Sequence, residues 1–179
     1  MSSTAGSRYN GAVEFILRDS RPGDFETLWA IDQACFPSGI AYSRVELKFY
    51  IRRKNSFTLV AENVAEDEGL GQEKSPRSPV PTTRIAGFIV AEAVRGQGHI
   101  ITIDVIAEAR RSGVGSELLI AAEDRLRSAA CASIHLETAV DNKAAIAFYK
   151  RHKYFIEKTA PRYYSNGVDA LVLAKPLLA

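Results

Sequence analysis

Gly98-His99-Ile100-Ile101-Thr102-Ile103-Asp104-Val105, followed after a short spacer by Arg110-Arg111-Ser112-Gly113-Val114-Gly115, decides how this chain is read. His99 to Ile106 is nearly all β-branched or apolar, the composition of a strand buried on both faces. From Gly113 to Ser128, the residues Val114, Leu118, Leu119, Ala122 and Leu126 recur at helical spacing and give one apolar face. A strand-to-helix turn lies between, with two glycines one residue apart. Glycine there permits close backbone approach and dihedrals that other residues avoid. The first N–H groups of the helix point outward unpaired, which suits a pyrophosphate, and Arg111 adds a cation. A dinucleotide fingerprint needs a third glycine where Leu118 stands, and the Gly-Lys-Ser/Thr of a P-loop is absent. A turn relieved by glycine, with no ligand, remains the alternative to a phosphate site.

Upstream, Val13 to Arg18 predicts a strand. Pro22 suits a first helical residue, and Phe25, Leu28, Trp29, Asp32, Cys35 and Phe36 follow at helical spacing until Pro37 and Gly39. Val45 to Ile51 predicts a second, less strongly patterned helix. Ser56 to Ala61 and Arg84 to Val94 read as strands. The acidic and then Ser/Pro-rich stretch from Glu62 to Thr83 contains Pro76, Pro79 and Pro81, and is expected to be a long mobile hairpin loop. Downstream, Ala132 to Ala139 predicts a strand and Asn142 to His152 a helix. Tyr154 to Lys158 and Ala170 to Ala174 predict two closing strands. Seven strands and four helices in the order β-α-α-β-β-β-α-β-α-β-β give an α/β domain with helices packed on a central sheet.

The 179 residues suit a single domain, residues 13–179, after a polar lead-in over 1–12. With 46% hydrophobic and 25% charged residues the chain is globular rather than disordered, and a net charge of +2 is too small for a nucleic-acid footprint. No apolar run approaches the roughly 20 residues that span a bilayer, and no export segment is evident, so a cytoplasmic protein is expected. Cys35 and Cys131 share no metal-ligand spacing, and both are expected to be free thiols.

The quoted stretch, with Leu136-Glu137-Thr138 and Asn142-Lys143-Ala144-Ala145-Ile146-Ala147-Phe148-Tyr149, resembles the core of the Gcn5-related N-acetyltransferases (GNAT). Asp32 to Pro37 and Arg162-Tyr163-Tyr164 extend the resemblance towards the ribosomal-protein alanine N-acetyltransferases (RimI-like) and the archaeal N-terminal acetyltransferases. It implies a mixed, mostly antiparallel sheet and acetyl-coenzyme A as co-substrate, with no metal. The backbone of Ile103, Asp104 and Val105 would take the pantetheine arm. The turn Arg110, Arg111, Ser112, Gly113, Val114, Gly115 and Ser116 would hold the pyrophosphate, and Asn142 would touch the pantetheine while also suiting a helix N-cap. Glu137 matches the family's general base and Tyr149 its general acid, since the amine must lose a proton and the thiolate must gain one. His99 matches a position that relays protons through water, for which an imidazole is suited. His135, on the same strand face as Glu137, reads as a surface residue or one that backs the site. Asp104 departs from the family, where a small apolar residue is usual.

Phe36, Pro37, Tyr42, Tyr163 and Tyr164 would line a mouth fit for a peptide end, or simply cap the sheet. Freeing a lysine amine costs on the order of 3 kcal/mol more than freeing an α-amine at neutral pH. A single carboxylate therefore fits acetylation of a protein N-terminus, with no nucleic acid or membrane as partner. A small-molecule amine and a non-catalytic acyl-coenzyme A module are the alternatives.

Overall fold

In the computed structural model, which describes residues 15–63 and 85–177, the strands are β1 (Phe15–Asp19), β2 (Ser56–Asn63), β3 (Ile85–Val94), β4 (Gln97–Val105), β5 (Ser133–Ala139), β6 (Phe155–Ala160) and β7 (Ala170–Pro176). They form one sheet in the order β1-β2-β3-β4-β5-β7-β6, antiparallel throughout except for β4 with β5. The helices are α1 (Phe25–Cys35), α2 (Arg44–Arg52), α3 (Val114–Ser128) and α4 (Lys143–Arg151). The expected element order is therefore met. The lead-in and most of the expected hairpin loop, residues 64–83, lie outside the described residues. Glu62 and Asn63 belong to β2 rather than to that loop, because Glu62 pairs with Ile16 and accepts the Arg18 guanidinium at 2.5 Å.

Local chemistry explains the helix starts. Ser43 Oγ accepts the Glu46 N–H while the Glu46 carboxylate accepts the Ser43 N–H, a capping box that starts α2 although only Leu47 of that helix is fully buried. Asn142 caps α4 by accepting the Ala145 N–H at 3.1 Å.

Two apolar layers enclose the sheet. Leu118, Leu119, Ala122 and Leu126 of α3 pack with Ile89, Ala91, Ile100, Ile134 and Leu136. Leu28 and Ile31 of α1 and Leu47 of α2 pack with Val60, Phe88 and Val90 on the other face. Strand β4 is not buried on both faces as its composition predicts, for its residues alternate between buried and half-buried. Val90 pairs with Thr102 but Ala91 pairs with Ile100, so Ile101 is an extra residue in a β-bulge. Before the bulge Ile100 faces α3. After it Ile103 and Val105 do, while Thr102 and Asp104 turn towards α1 with their partners Val90 and Phe88. Helix α1 thus covers the face opposite the α3 layer at Asp104, with Asp32 and Cys35 beside it.

Beside this strand end Gly87 pairs with Val105, and a Cβ there would sit 2.5 Å from the Asp104 carbonyl oxygen. Backbone cannot yield as a side chain does. Gly87→Ala is expected to cost about 1–3 kcal/mol of stability, measured by denaturant unfolding. An unchanged midpoint would show that β3 and β4 separate freely there.

Candidate active site

Parallel pairing between β4 and β5 lasts only from Gln97–His99 against Ser133–His135. Beyond those residues the strands part, and a cleft of about 960 Å³ opens between Ile101–Val105 on one side and Leu136–Ala139 on the other. The carbonyl oxygens of Ile101 and Val105 lie on this free edge, for Tyr42 Oη donates to the first at 3.2 Å and Arg110 Nε to the second at 3.1 Å. By the two-residue period, the backbone N–H and C=O of Ile103 face the cleft as well. Those of Asp104 do not, because its carbonyl points at Gly87 on β3. Of the three residues expected to present backbone to a ligand, Ile103 is therefore the best placed.

The glycine-rich turn closes one end of the cleft. Gly113 caps α3 with φ +97°, a left-handed conformation that favours glycine, and a Cβ there would meet nothing within 4 Å. The constraint at Gly113 is thus backbone conformation rather than crowding. The first N–H groups of the 15-residue α3 have no carbonyl within the helix to receive them. Arg110, Arg111, Gly113, Gly115, Ser116 and Asn142 line the cleft, whereas Ser112 and Val114 do not. Ser112 Oγ donates to the Ala109 carbonyl and the Val114 side chain is buried in the core, so only their backbones are available. Ser116 Oγ lies 2.9 Å from His152 Nε2.

At the point where the strands part, Glu137 Oε2 lies 2.7 Å from His99 Nε2. The other ring nitrogen, Nδ1, is 3.6 Å from Glu92 Oε1 across the β3–β4 pair, and Arg53 in turn holds Glu92. His135 stacks on His99, ring centroids 4.4 Å apart and planes within 9°. Burial alone would raise the Glu137 carboxyl, but the hydrogen bond and charge of His99, with His135 and Tyr163, outweigh it and hold the carboxyl below the usual range. Glu137 is therefore ionised at neutral pH. His135 is also pushed below its ordinary value, by burial first and then by His99. Ligand-type atoms of His99, His135 and Glu137 lie within 4.8 Å of one another. With the imidazoles parallel, their in-plane lone pairs run side by side instead of converging on one ion.

Tyr149, on α4, is buried yet borders the cleft. Burial, then the charge of Asp104, pushes its hydroxyl up, so it stays protonated. The expected mouth residues Phe36, Pro37, Tyr42, Tyr163 and Tyr164 all line the cleft, together with Ile40. Two connections meet there, for Ser165 Oγ between β6 and β7 donates to the Gly39 carbonyl between α1 and α2 at 3.0 Å. His99 is behind Glu137 rather than on the lining. Glu92 and the buried Asp32 escaped the sequence reading as site residues. Pairing His99 with a β3 acid requires the strand register, which a single sequence does not display. Cys35 and Cys131 are free, as expected.

Among the described residues no helix is long and apolar enough to cross a membrane. The chain is 39% identical over 93 residues to an uncharacterized N-acetyltransferase of Methanocaldococcus jannaschii, a match covering 51% of this chain and 60% of that one. It is 28% identical over 165 residues to an N-alpha-acetyltransferase of Saccharolobus solfataricus, covering 92% of this chain and 94% of the other. The crystal structure of Ard1 from Thermoplasma volcanium superposes with a TM-score of 0.73 at 25% identity, covering 91% of this chain and 97% of that one. The sequence profile described as "Acetyltransferase (GNAT) family" matches residues 25–154, from α1 through α4, so the chain belongs to the acetyltransferase (GNAT) family.

Proposed function

We propose that the protein transfers an acetyl group from acetyl-coenzyme A to the α-amine of a protein or peptide N-terminus, with Glu137 as general base and Tyr149 as general acid. One observation carries this reading: an ionised Glu137 stands where β4 and β5 part, between an aromatic mouth and a cleft that ends on the α3 N-terminus. The relationship to the Saccharolobus N-alpha-acetyltransferase supports the choice of acceptor.

The lining fits acetyl-coenzyme A. The left-handed turn at Gly113 and the unpaired N–H groups of α3 suit its pyrophosphate, with Arg111 beside them. The free backbone edge at Ile103 suits the amides of its pantetheine arm. When bound, the co-substrate supplies an acetyl thioester. Glu137 accepts a proton from the incoming ammonium, directly or through water, and His99 fixes the carboxylate and spreads the charge. As the new N–C bond forms and the C–S bond breaks, the Tyr149 hydroxyl gives its proton to the departing sulfur, and the proton that the acylated nitrogen sheds restores the tyrosine. Phe36, Pro37, Tyr42, Tyr163 and Tyr164 border the amine's route.

Thiol release from acetyl-coenzyme A, measured with a panel of α-amine peptides, lysine peptides and small amines, tests this reading. Turnover confined to small amines, or binding with no turnover on any amine, would overturn it. The phosphate turn has its own test. A β-branched residue is strained at the φ of Gly113, so Gly113→Val should weaken coenzyme A binding by about 10–100-fold, read by calorimetry. Unchanged affinity in the folded variant would remove that turn from the site.

A further inference from the structure

We propose that Asp32 is a positioning residue for the acceptor, its carboxylate fixing the turn that carries Tyr42 into the mouth of the cleft. The inference rests on the reading of that mouth as the acceptor's entrance. Asp32 lies on the last turns of α1 and is 0% exposed. Its Oδ2 accepts the backbone N–H of Tyr42 at 2.9 Å and Gln33 Nε2 at 3.0 Å. The same Gln33 nitrogen donates to the Tyr42 carbonyl at 2.8 Å. Both main-chain groups of Tyr42 are thus held from one turn of α1. From there the Tyr42 hydroxyl reaches the carbonyl of Ile101, the bulged residue on the free edge of β4. Asp32 is linked in this way to the edge of the cleft through a single tyrosine.

This is an expensive way to hold a turn. Asp32 Oδ1 is buried and has no hydrogen-bond partner among the described residues. Asp104, almost fully buried, faces it from β4 with only the Thr102 hydroxyl bonded to it among the described residues, and Cys35 and Arg110 stand beside Asp104. Burial pushes the Asp32 carboxyl up to about 6 in spite of the two donors. Burial and the charge of Asp32 push Asp104 well up too. An acid whose pKa is raised by folding helps stability least once it is ionised, so above about pH 6 Asp32 works against the fold. An apolar residue of similar volume would serve packing better. The carboxylate therefore contributes the hold on Tyr42 rather than stability.

Asp32→Leu separates the two roles. At pH 8 the variant should melt no lower than wild type. Against a peptide that the wild-type enzyme acetylates, its KM should rise about tenfold, the worth of a hydrogen bond to a charged acceptor. Coenzyme A affinity should be unchanged, and the Tyr42 amide should exchange slowly with deuterium in wild type and fast in the variant. Asp32→Asn, which keeps an acceptor oxygen, should recover most of the loss. If Asp32→Leu fails to fold, the exposed Gln33→Leu should raise the same KM by about two- to fourfold. Unchanged acceptor KM, equal losses for both substrates, or a Tyr42 amide that exchanges fast in wild type would overturn the proposal. A failure of the acceptor assignment shows separately, as wild-type enzyme that turns over no α-amine peptide, whereas the Tyr42 exchange reports on Asp32 regardless.

Discussion

Glu137→Gln is expected to lower turnover by about 10²–10⁴-fold with acetyl-coenzyme A affinity close to wild type. The amide keeps an oxygen to accept from His99 Nε2, at present 2.7 Å from the carboxylate, so the geometry survives while the basicity is lost. The acidic limb of the pH–rate profile should change as well. Because His99, His135 and Tyr163 hold the Glu137 carboxyl below the usual range against the effect of burial, it remains available as a base down to mildly acidic pH. A limb that persists in Glu137→Gln belongs to another group. His99→Ala supplies the control: if it shows the larger rate defect and abolishes the limb, His99 is the base and Glu137 orients it. Near-normal turnover by Glu137→Gln at neutral pH would end the assignment of Glu137.

Tyr149→Phe should reduce kcat by about 10²–10³-fold and leave both KM values within a few fold, because the proton is needed only as the C–S bond breaks. The defect should shrink for an acetyl thioester whose thiol is a stronger acid, since such a thiolate leaves without help. The wild-type rate should not fall on the alkaline side through loss of the Tyr149 proton below about pH 10, the ordinary value for tyrosine, because burial and the Asp104 charge push that hydroxyl up. A rate loss independent of the leaving group would make Tyr149 a packing residue.

The strands and helices were legible in the sequence because their signals are local. The helix face of Val114, Leu118, Leu119, Ala122 and Leu126 repeats within 15 residues and does pack in the core. The mouth residues were legible through the family resemblance, which places Phe36 and Tyr163 at the same cleft despite their separation in the chain. Features that depend on register were not legible. Nothing in Ile100-Ile101-Thr102 marks which isoleucine is extra, and the stretch therefore read as a strand buried twice over. The turn of the Arg110 guanidinium onto the Val105 carbonyl, and the opposition of Glu92 to His99 across the β3–β4 hairpin, join residues close in sequence but depend on turn geometry and register, which no periodic pattern displays. Asp32 fits the periodicity of its helix as a polar interruption, and only the return of the chain at Tyr42 gives that interruption a partner.

The extra residue at Ile101 sets the phase of β4. Upstream of it even-numbered residues look towards α3, and downstream of it odd-numbered ones do. Deleting Ile101 would leave a strand of ordinary pleat in which Ile103 and Val105 keep facing α3 while Thr102 and Asp104 keep facing α1. Keeping every residue but flattening the bulge would instead carry the upstream parity through to the end and drive the two polar side chains into the α3 layer. Shortening by one residue should thus be tolerated here together with loss of the bulge, whereas removal of a second residue would exchange the faces.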